Sequence, residues 1–136
     1  MKLQLLDASV LLASEDADDP NHAAARRLLE GAAPLATLDL AFYEVANVAV
    51  RSWHDQEAAG RLQARVAAIA EDGGVVRADL KLISDAAALA AQAGISVYDA
   101  AYVAAAQAAG AELVSCDVPD LVSRGLAKLP PTSLNP

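Results

Sequence analysis

The stretch LQLLDASVLL, residues 3–12, decides the fold class of the chain. Leucine fills three of its first four positions, which predicts a short strand buried on both faces, as in a parallel sheet. Asp7 ends this strand, and the residues after it predict a helix within residues 8–14. A buried strand that leads directly into a helix is typical of an α/β fold.

The same alternation of short strands and helices continues along the chain. Further strands are predicted at residues 34–38, 75–79 and 112–116, with an edge strand at residues 126–131. Helices are predicted at residues 22–30, from an Asp39 N-cap to about Trp53, at residues 56–71, 80–92 and 98–109, and from Pro119. Residues 15–21, EDADDPN, predict a surface loop. We therefore expect a three-layer α/β sandwich, with a central, mainly parallel sheet flanked by helices, in a single domain over residues 1–136.

The composition limits the classes of function. Ten Lys and Arg against 18 Asp and Glu give a net charge of -8, which argues against sequence-blind adhesion to phosphate backbones. An acidic chain still acts on nucleic acid when its carboxylates hold divalent cations that attract phosphate. The single cysteine, Cys116, excludes an internal disulfide and a thiolate metal cage and fits a reducing cytosol. Since no apolar stretch is long enough for a bilayer span, we expect a cytoplasmic chain without a membrane anchor.

Two aspartates are predicted at one edge of the sheet. Asp7 ends the first predicted strand and Asp117 ends the last. In open α/β sheets ligands bind outside the carboxyl ends of the strands, so these two carboxylates are expected to converge. Each also has a structural interpretation, because Asp is common at helix N-caps and in turns. Asp120, three residues after Asp117, is an alternative acid at the same place.

Two further carboxylates lie in apolar helices. Glu44 stands within DLAFYEVANVAV, residues 39–50, where a buried carboxylate needs a cation, a metal or a proton. The alternatives are that Glu44 reaches solvent at the helix edge or pairs with Arg51. Asp99 opens a helix whose next eleven residues carry no charge, although Ser96, three residues earlier, also fits a capping box.

Together these acids predict a carboxylate group dense enough to bind divalent cations. Like charges held a few ångströms apart repel, so they must take up protons or share cations. Ligand sets made only of oxygen suit Mg²⁺ or Mn²⁺. Such a site hydrolyses phosphodiester bonds.

Four segments resemble the acidic motifs of a known family. LLDASVLL at 5–12, FYEVANV at 42–48, VYDAAYVAAA at 97–106 and LVSCD at 113–117 are similar to those of PIN-domain ribonucleases, and the size is that of VapC-type toxins. The resemblance implies an acidic quartet that coordinates one or two Mg²⁺ or Mn²⁺ ions: Asp7, Glu44, Asp99 and Asp117. Asp7 and Asp99 are then the direct ligands, and Glu44 and Asp117 act partly through water. It also implies that small hydroxyls at Ser9 and Ser115 orient the group and that Asn47 faces Glu44. The segment SCDVPD departs from the motif because it offers two acids, Asp117 and Asp120.

The resemblance implies a reaction and partners as well. The reaction is metal-dependent endonucleolytic cleavage of RNA that leaves 5′-phosphate and 3′-hydroxyl ends. The partners are a second copy of the chain in a homodimer and an antitoxin whose C-terminal segment reaches the acidic groove. A chain with a net charge of -8 attracts a basic segment. Promoter DNA is then contacted only through the antitoxin.

Two other functions are compatible with the fold class. One is a receiver-type phosphoacceptor domain, but Asp7 has no acidic neighbour and no Lys follows the last predicted strand within SCDVPD. The other is a non-catalytic binding module. The remaining polar and aromatic candidates are interpreted as surface or core residues: His22, His54, Cys116, Trp53, Phe42, Tyr102, Arg26, Arg27, Arg51, Arg61 and Arg65.

Overall fold

Four short parallel strands form the centre of the molecule in the order β3-β2-β1-β4. A computed structural model describes residues 1–132. The strands are β1 Gln4–Leu6, β2 Leu35–Leu38, β3 Val75–Val76 and β4 Glu112–Val114. The helices are α1 Ala8–Glu15, α2 His22–Glu30, α3 Leu40–Arg51, α4 Gln56–Glu71, α5 Leu80–Ala93 and α6 Val97–Ala109, with a π-helical turn at Val118–Val122. A parallel sheet flanked by helices is the predicted fold class, which is confirmed.

The register of the sheet brings the ends of its strands to one level. In the central strand β1, Leu6 lies beside Thr37 of β2 and Val114 of β4. The Thr37 hydroxyl donates to the Leu6 carbonyl at 2.7 Å, and the amide of Asp7 donates to the Val114 carbonyl at 3.2 Å. The residues that follow β1, β2 and β4 therefore leave the sheet at the same edge, which we call the carboxyl edge.

The core consists of leucine and valine from the strands and of alanine from the helices. Leu5, Leu6 and Leu38 are fully buried, as are Ala41 of α3 and Ala105 of α6. Small side chains let a helix approach the sheet closely, and any larger group there overpacks the interior. Within residues 1–132 no single helix is long and apolar enough to cross a membrane, and α5 with α6, which reach that length only as a pair, are bent by 118° at the break between them.

Two strands, β3 and β4, end earlier than predicted. Strand β3 ends at Val76 rather than at residue 79, because the Ala78 amide donates to the Asp39 carboxylate and Asp79 caps α5. Strand β4 ends at Val114 rather than at residue 116, because the Cys116 amide donates to the Ser9 hydroxyl.

Asp39 does not cap α3 as predicted. Its backbone is already helical and its carboxylate makes no bond to an α3 amide. Both carboxylate oxygens accept from the Ala78 amide instead, at 3.3 and 3.2 Å. The helix ends at Arg51, before Trp53, and His54 follows in the left-handed region with φ 52°.

The prediction of a surface loop beginning at residue 15 is wrong for Glu15. This residue is the last of α1, and its side chain is only 8% exposed. Its carboxylate accepts from Arg61 at 2.8 Å and from the terminal nitrogen of Arg65 at 2.6 Å. The two arginines therefore join α4 to α1.

The C-terminal predictions are only partly met. The expected edge strand at residues 126–131 is reduced to one parallel bridge between Val114 and Lys128. The short helix expected from Pro119 is a π-helical turn that begins at Val118. Residues 133–136 lie outside the described part of the chain.

Candidate metal centre

Asp7 follows β1 at the carboxyl edge and is 5% exposed. It is the N-cap of α1, and its Oδ1 accepts from the Ser9 amide at 3.1 Å, the Val10 amide at 3.4 Å and the Ser9 hydroxyl at 2.5 Å. The predicted structural role as an N-cap is therefore present. All three bonds end on Oδ1, so the cap itself does not use Oδ2.

The burial of Asp7 makes its ionised form unfavourable. Loss of solvent raises the pKa of this carboxyl to about 6, against the opposing hydrogen bonds of Ser115 and Ser9, and the nearby charge of Asp99 adds to the rise. An adjacent cation would oppose this rise in pKa, because it stabilises the charged form.

Two hydroxyls connect Asp7 to the end of β4. The Ser9 hydroxyl donates to Asp7 and accepts from the Cys116 amide at 2.8 Å. The Ser115 hydroxyl, which is fully buried, accepts from the Asp117 amide at 3.0 Å and lies 3.4 Å from the Ser9 hydroxyl. The two serines therefore link the backbone that follows β1 to the backbone that follows β4.

Three aspartates meet beside α6. Asp99 lies in its first turn, where the Ser96 hydroxyl accepts from the Asp99 amide at 3.0 Å, and the Asp117 carboxylate accepts from the Asp120 amide at 3.1 Å. One carboxylate oxygen from each of Asp99, Asp117 and Asp120 lies within 4.8 Å of the others. Both of the acids that compete for the fourth motif are therefore next to Asp99.

Asp99 is the carboxylate that the other acids share as a neighbour. Partial burial and the charges of Asp117 and Asp120 raise the pKa of Asp99. The charge of Asp99 in turn contributes to the raised pKa of both Asp7 and Glu44, after the larger effect of burial. The Ser96 cap and the acidic role are compatible, because the cap bond is donated by the amide of Asp99.

Glu44 is half-buried on α3 and has a partner that the sequence interpretation missed. The Tyr102 hydroxyl donates to Glu44 Oε1 at 2.6 Å. Burial raises the pKa of Glu44, and the Tyr102 bond opposes this rise. Burial and the bond to Glu44 also raise the pKa of Tyr102 far above its usual value, so the phenol is a donor at neutral pH. The proposed alternative partner, Arg51, forms no ion pair with Glu44 in the part of the chain that the structure describes.

Among the described residues, no Lys, Arg or His forms an ion pair with the five acids of this group, which are Asp7, Glu44, Asp99, Asp117 and Asp120. The ion pairs within residues 1–132 involve other acids: Glu15, Glu30, Asp55, Asp85 and Glu112. Carboxylate oxygens of Asp99, Asp117 and Asp120 lie within 4.8 Å of one another, whereas Asp7 and Glu44 are outside that trio and feel the charge of Asp99. All of these donors are carboxylate oxygens, the atoms that Mg²⁺ and Mn²⁺ prefer. The donor set therefore fits a hard divalent cation.

The other candidates lie outside this group. Arg61 and Arg65 are bound to Glu15, and Arg26 pairs with Glu30. A His22 ring nitrogen lies 2.7 Å from the Ala13 carbonyl. Cys116 is half-buried beyond the end of β4, rather than on a buried strand as predicted, and burial raises the pKa of its thiol to about 11, well above neutrality.

An apolar groove adjoins the acidic group on the side of Glu44. Its volume is about 850 Å³ and its lining is Leu40, Phe42, Tyr43, Glu44, Ala46, Asn47, Val50, Gln63 and Tyr98. Tyr43 and Tyr98 are 77% and 63% exposed. Asn47 is exposed and lines this groove together with Glu44, with no hydrogen bond between them among the described residues.

Comparison with known proteins identifies the class of protein that this fold and site define. The chain matches the PIN domain over residues 5–118. It therefore belongs to the PIN-domain family, as its motifs predicted. Within that family its similarity is to the VapC ribonucleases: Ribonuclease VapC3 of Pyrobaculum aerophilum is 35% identical over 130 residues, which cover 86% of this chain and 90% of that protein.

Solved structures confirm the fold. VapC20 of Mycobacterium tuberculosis, described as a Sarcin-Ricin loop cleaving toxin, superposes with a TM-score of 0.72 at 21% identity and covers 94% of this chain and 99% of its own. A toxin-antitoxin complex from Klebsiella pneumoniae superposes with a TM-score of 0.70 at 18% identity, over 94% of this chain and 98% of that one.

Proposed function

We propose that the chain is a metal-dependent endoribonuclease and the toxin of a toxin-antitoxin pair. One observation supports the proposal: carboxylate oxygens of Asp99, Asp117 and Asp120 lie within 4.8 Å of one another, the charge of Asp99 acts on Asp7 and Glu44, and within residues 1–132 these acids form no ion pair. The 35% identity to Ribonuclease VapC3 supports RNA as the substrate. Cytoplasmic RNA is the substrate pool that this proposal implies.

Each acid has a distinct place in the proposed site. Asp7 and Asp99 are the direct ligands, and Glu44 and Asp117 act partly through water, with Asp120 beside Asp117. PIN domains are generally dependent on divalent metals. When bound, a Mg²⁺ or Mn²⁺ ion would lower the pKa of a water molecule and would neutralise charge on the scissile phosphate.

The protein contributes preorganisation. The α1 cap holds Oδ1 of Asp7, the Ser96 cap fixes the backbone of Asp99, and the Ser9–Ser115 pair fixes the end of β4. Since these bonds exist in the folded chain, the carboxylates need little rearrangement when the phosphate arrives.

An RNA cleavage assay with site variants tests the proposed function. Asp99→Asn removes the charge shared by the whole group, and we expect cleavage in Mg²⁺ or Mn²⁺ to fall by roughly 100-fold or more. Asp72→Asn is the matched control, because Asp72 is exposed after α4 at the opposite edge of the sheet. Full activity in a folded Asp99→Asn variant, with folding checked by circular dichroism, contradicts the proposal.

The proposed partners are a basic antitoxin segment and a second copy of the chain. The groove beside Glu44 combines apolar walls with a carboxylate, and the chain carries a net charge of -8, which suits an amphipathic segment with basic residues. Exposed apolar residues on α3 and α5, including Val50, Leu80 and Ile83, supply surface for a homodimer. Promoter DNA is reached through the antitoxin. Light scattering of the chain alone and with its antitoxin measures both assemblies.

A further inference from the structure

We propose that Tyr102 is a positioning residue of the acidic site, whose hydroxyl orients the Glu44 carboxylate for cation binding. This inference rests on the proposed function, since it concerns the same site. Tyr102 lies within the third motif but is not one of its acids, and the sequence alone predicts a core residue at this position.

The geometry of the contact supports this role. Tyr102 lies three residues after Asp99 on α6, so the two side chains are on the same face of the helix. Its hydroxyl donates to Glu44 Oε1 of α3 at 2.6 Å, which is the short distance typical of a hydroxyl bound to an ionised carboxylate. The bond occupies Oε1 and leaves Oε2 as the oxygen available to a cation.

The surroundings of Tyr102 make Glu44 its natural partner. The residue is 2% exposed, and every other side chain from residue 100 to 106 is Ala or Val. A buried hydroxyl without a partner is costly, so the phenol needs an acceptor from another element. Glu44 is that acceptor. The hydrogen bond restricts rotation about the three side-chain bonds of this half-buried glutamate.

A role of this kind differs from simple packing in a measurable way. If Tyr102 acts through Glu44, removal of its hydroxyl weakens the response to cation while the ring still fills the core. A packing role changes stability without changing the cation requirement. Tyr102→Phe separates the two, because Phe keeps the ring and loses only the donor.

The experiment measures Mn²⁺ dependence in two ways, by thermal stabilisation without RNA and by cleavage of RNA. We expect Tyr102→Phe to raise the Mn²⁺ concentration at half-maximal effect by about 10-fold in both, with less than about 2-fold change in the KM for RNA. Val103→Ala is the control, because Val103 is buried next to Tyr102 and lines a different surface of α6. We expect it to lower the melting temperature and leave the Mn²⁺ midpoint unchanged.

A double-mutant cycle decides whether the effect passes through Glu44. In a Glu44→Gln background, Tyr102→Phe should shift the Mn²⁺ midpoint by less than about 2-fold, because the charge that the hydroxyl orients is gone. An equal shift in both backgrounds, no shift in the wild-type background, or a wild-type chain that takes up no Mn²⁺ overturns the inference. A wild-type chain that binds Mn²⁺ but cleaves no RNA overturns the proposed function alone, and the thermal readout still tests Tyr102.

Discussion

Asp7 serves two purposes that have opposite effects on stability. As the N-cap of α1, Asp7 accepts hydrogen bonds from amides at the start of the helix, which stabilises the fold. Burial and the charge of Asp99 make its ionised form unfavourable, which destabilises the fold. The sequence points to Asp7 because this residue follows an apolar strand, but it leaves the N-cap role and the role as a site carboxylate as alternatives. Both are compatible because the cap uses Oδ1 alone.

The pH dependence of stability should report the burial of Asp7. Its pKa is about 6 in the folded chain and 3.8 in the unfolded reference, so between these values the folded chain binds more protons. The free energy of unfolding therefore falls as pH rises through this window. Without divalent metal, we expect Asp7→Asn to raise the free energy of unfolding at pH 7.5 by on the order of 2–3 kcal/mol, and by much less near pH 4.

Urea unfolding in EDTA at the two pH values measures this difference. Asp18→Asn is the control, because Asp18 is exposed in the loop between α1 and α2 and should show no such pH-dependent gain. An Asp7→Asn variant that is less stable than wild type at both pH values rules out a charge-burial penalty at this position.

At the level of helices and strands, local signals predicted the elements well and long-range contacts changed their ends. The bounds of α4 and the Gly94 and Gly110 ends of α5 and α6 agree with prediction, because caps and left-handed glycines act within a few residues. Asp39 was misassigned because its partner, the Ala78 amide, is 39 residues away. The Tyr102 bond to Glu44 spans 58 residues, and only the unpaired character of Glu44 in an apolar helix pointed to the need for such a partner.

The clamp between α1 and α4 yields a prediction on stability. Burial acts to raise the pKa of Glu15, but the hydrogen bonds and charges of Arg61 and Arg65 outweigh it and hold its pKa below the usual value. We expect Glu15→Gln to lower the free energy of unfolding at pH 7 by about 1–3 kcal/mol, mainly through Arg65, since Arg61 is half-exposed and screened by solvent.

The effect of Glu15→Gln should depend on pH in the opposite sense to that of Asp7. A lowered folded pKa gives stability that is present above the unfolded pKa and is lost as pH falls through the folded value. Denaturant unfolding at pH 7 and pH 3 checks this, with Glu71→Gln at the exposed end of α4 as the control. Equal stability of Glu15→Gln and wild type at pH 7 shows that the clamp contributes nothing.

For the molecule as a whole, the parallel sheet explains why the sequence predicts that Asp7 and Asp117 lie at one edge. All strands point the same way, so residues that follow β1 and β4 meet at one edge although they are far apart in the chain. What the sequence did not specify was the arrangement within the group, because it depends on side-chain positions. The approach of Asp120 to Asp99 and Asp117 results from the turn after β4.

Cation binding should stabilise the whole molecule. Free Mn²⁺ at about 100 times its Kd adds about 2.7 kcal/mol to the free energy of unfolding. For a chain of this length that corresponds to a rise in melting temperature of roughly 8 °C. Thermal melts in Mn²⁺ and in NaCl of equal ionic strength measure it, and the same rise in Asp99→Asn shows that the ions bind elsewhere.

The pairing of β1 with β4 also determines when the proposed site is completed during translation. β1 lies at the centre of the sheet, yet Gln4 pairs with Glu112 near the other end of the chain, and the Asp7 amide binds the Val114 carbonyl. A nascent polypeptide thus exposes Asp7 on the ribosome long before Asp99 and Asp117 are translated. The activity that we propose therefore requires β4 and the residues after it to be translated before the site is complete.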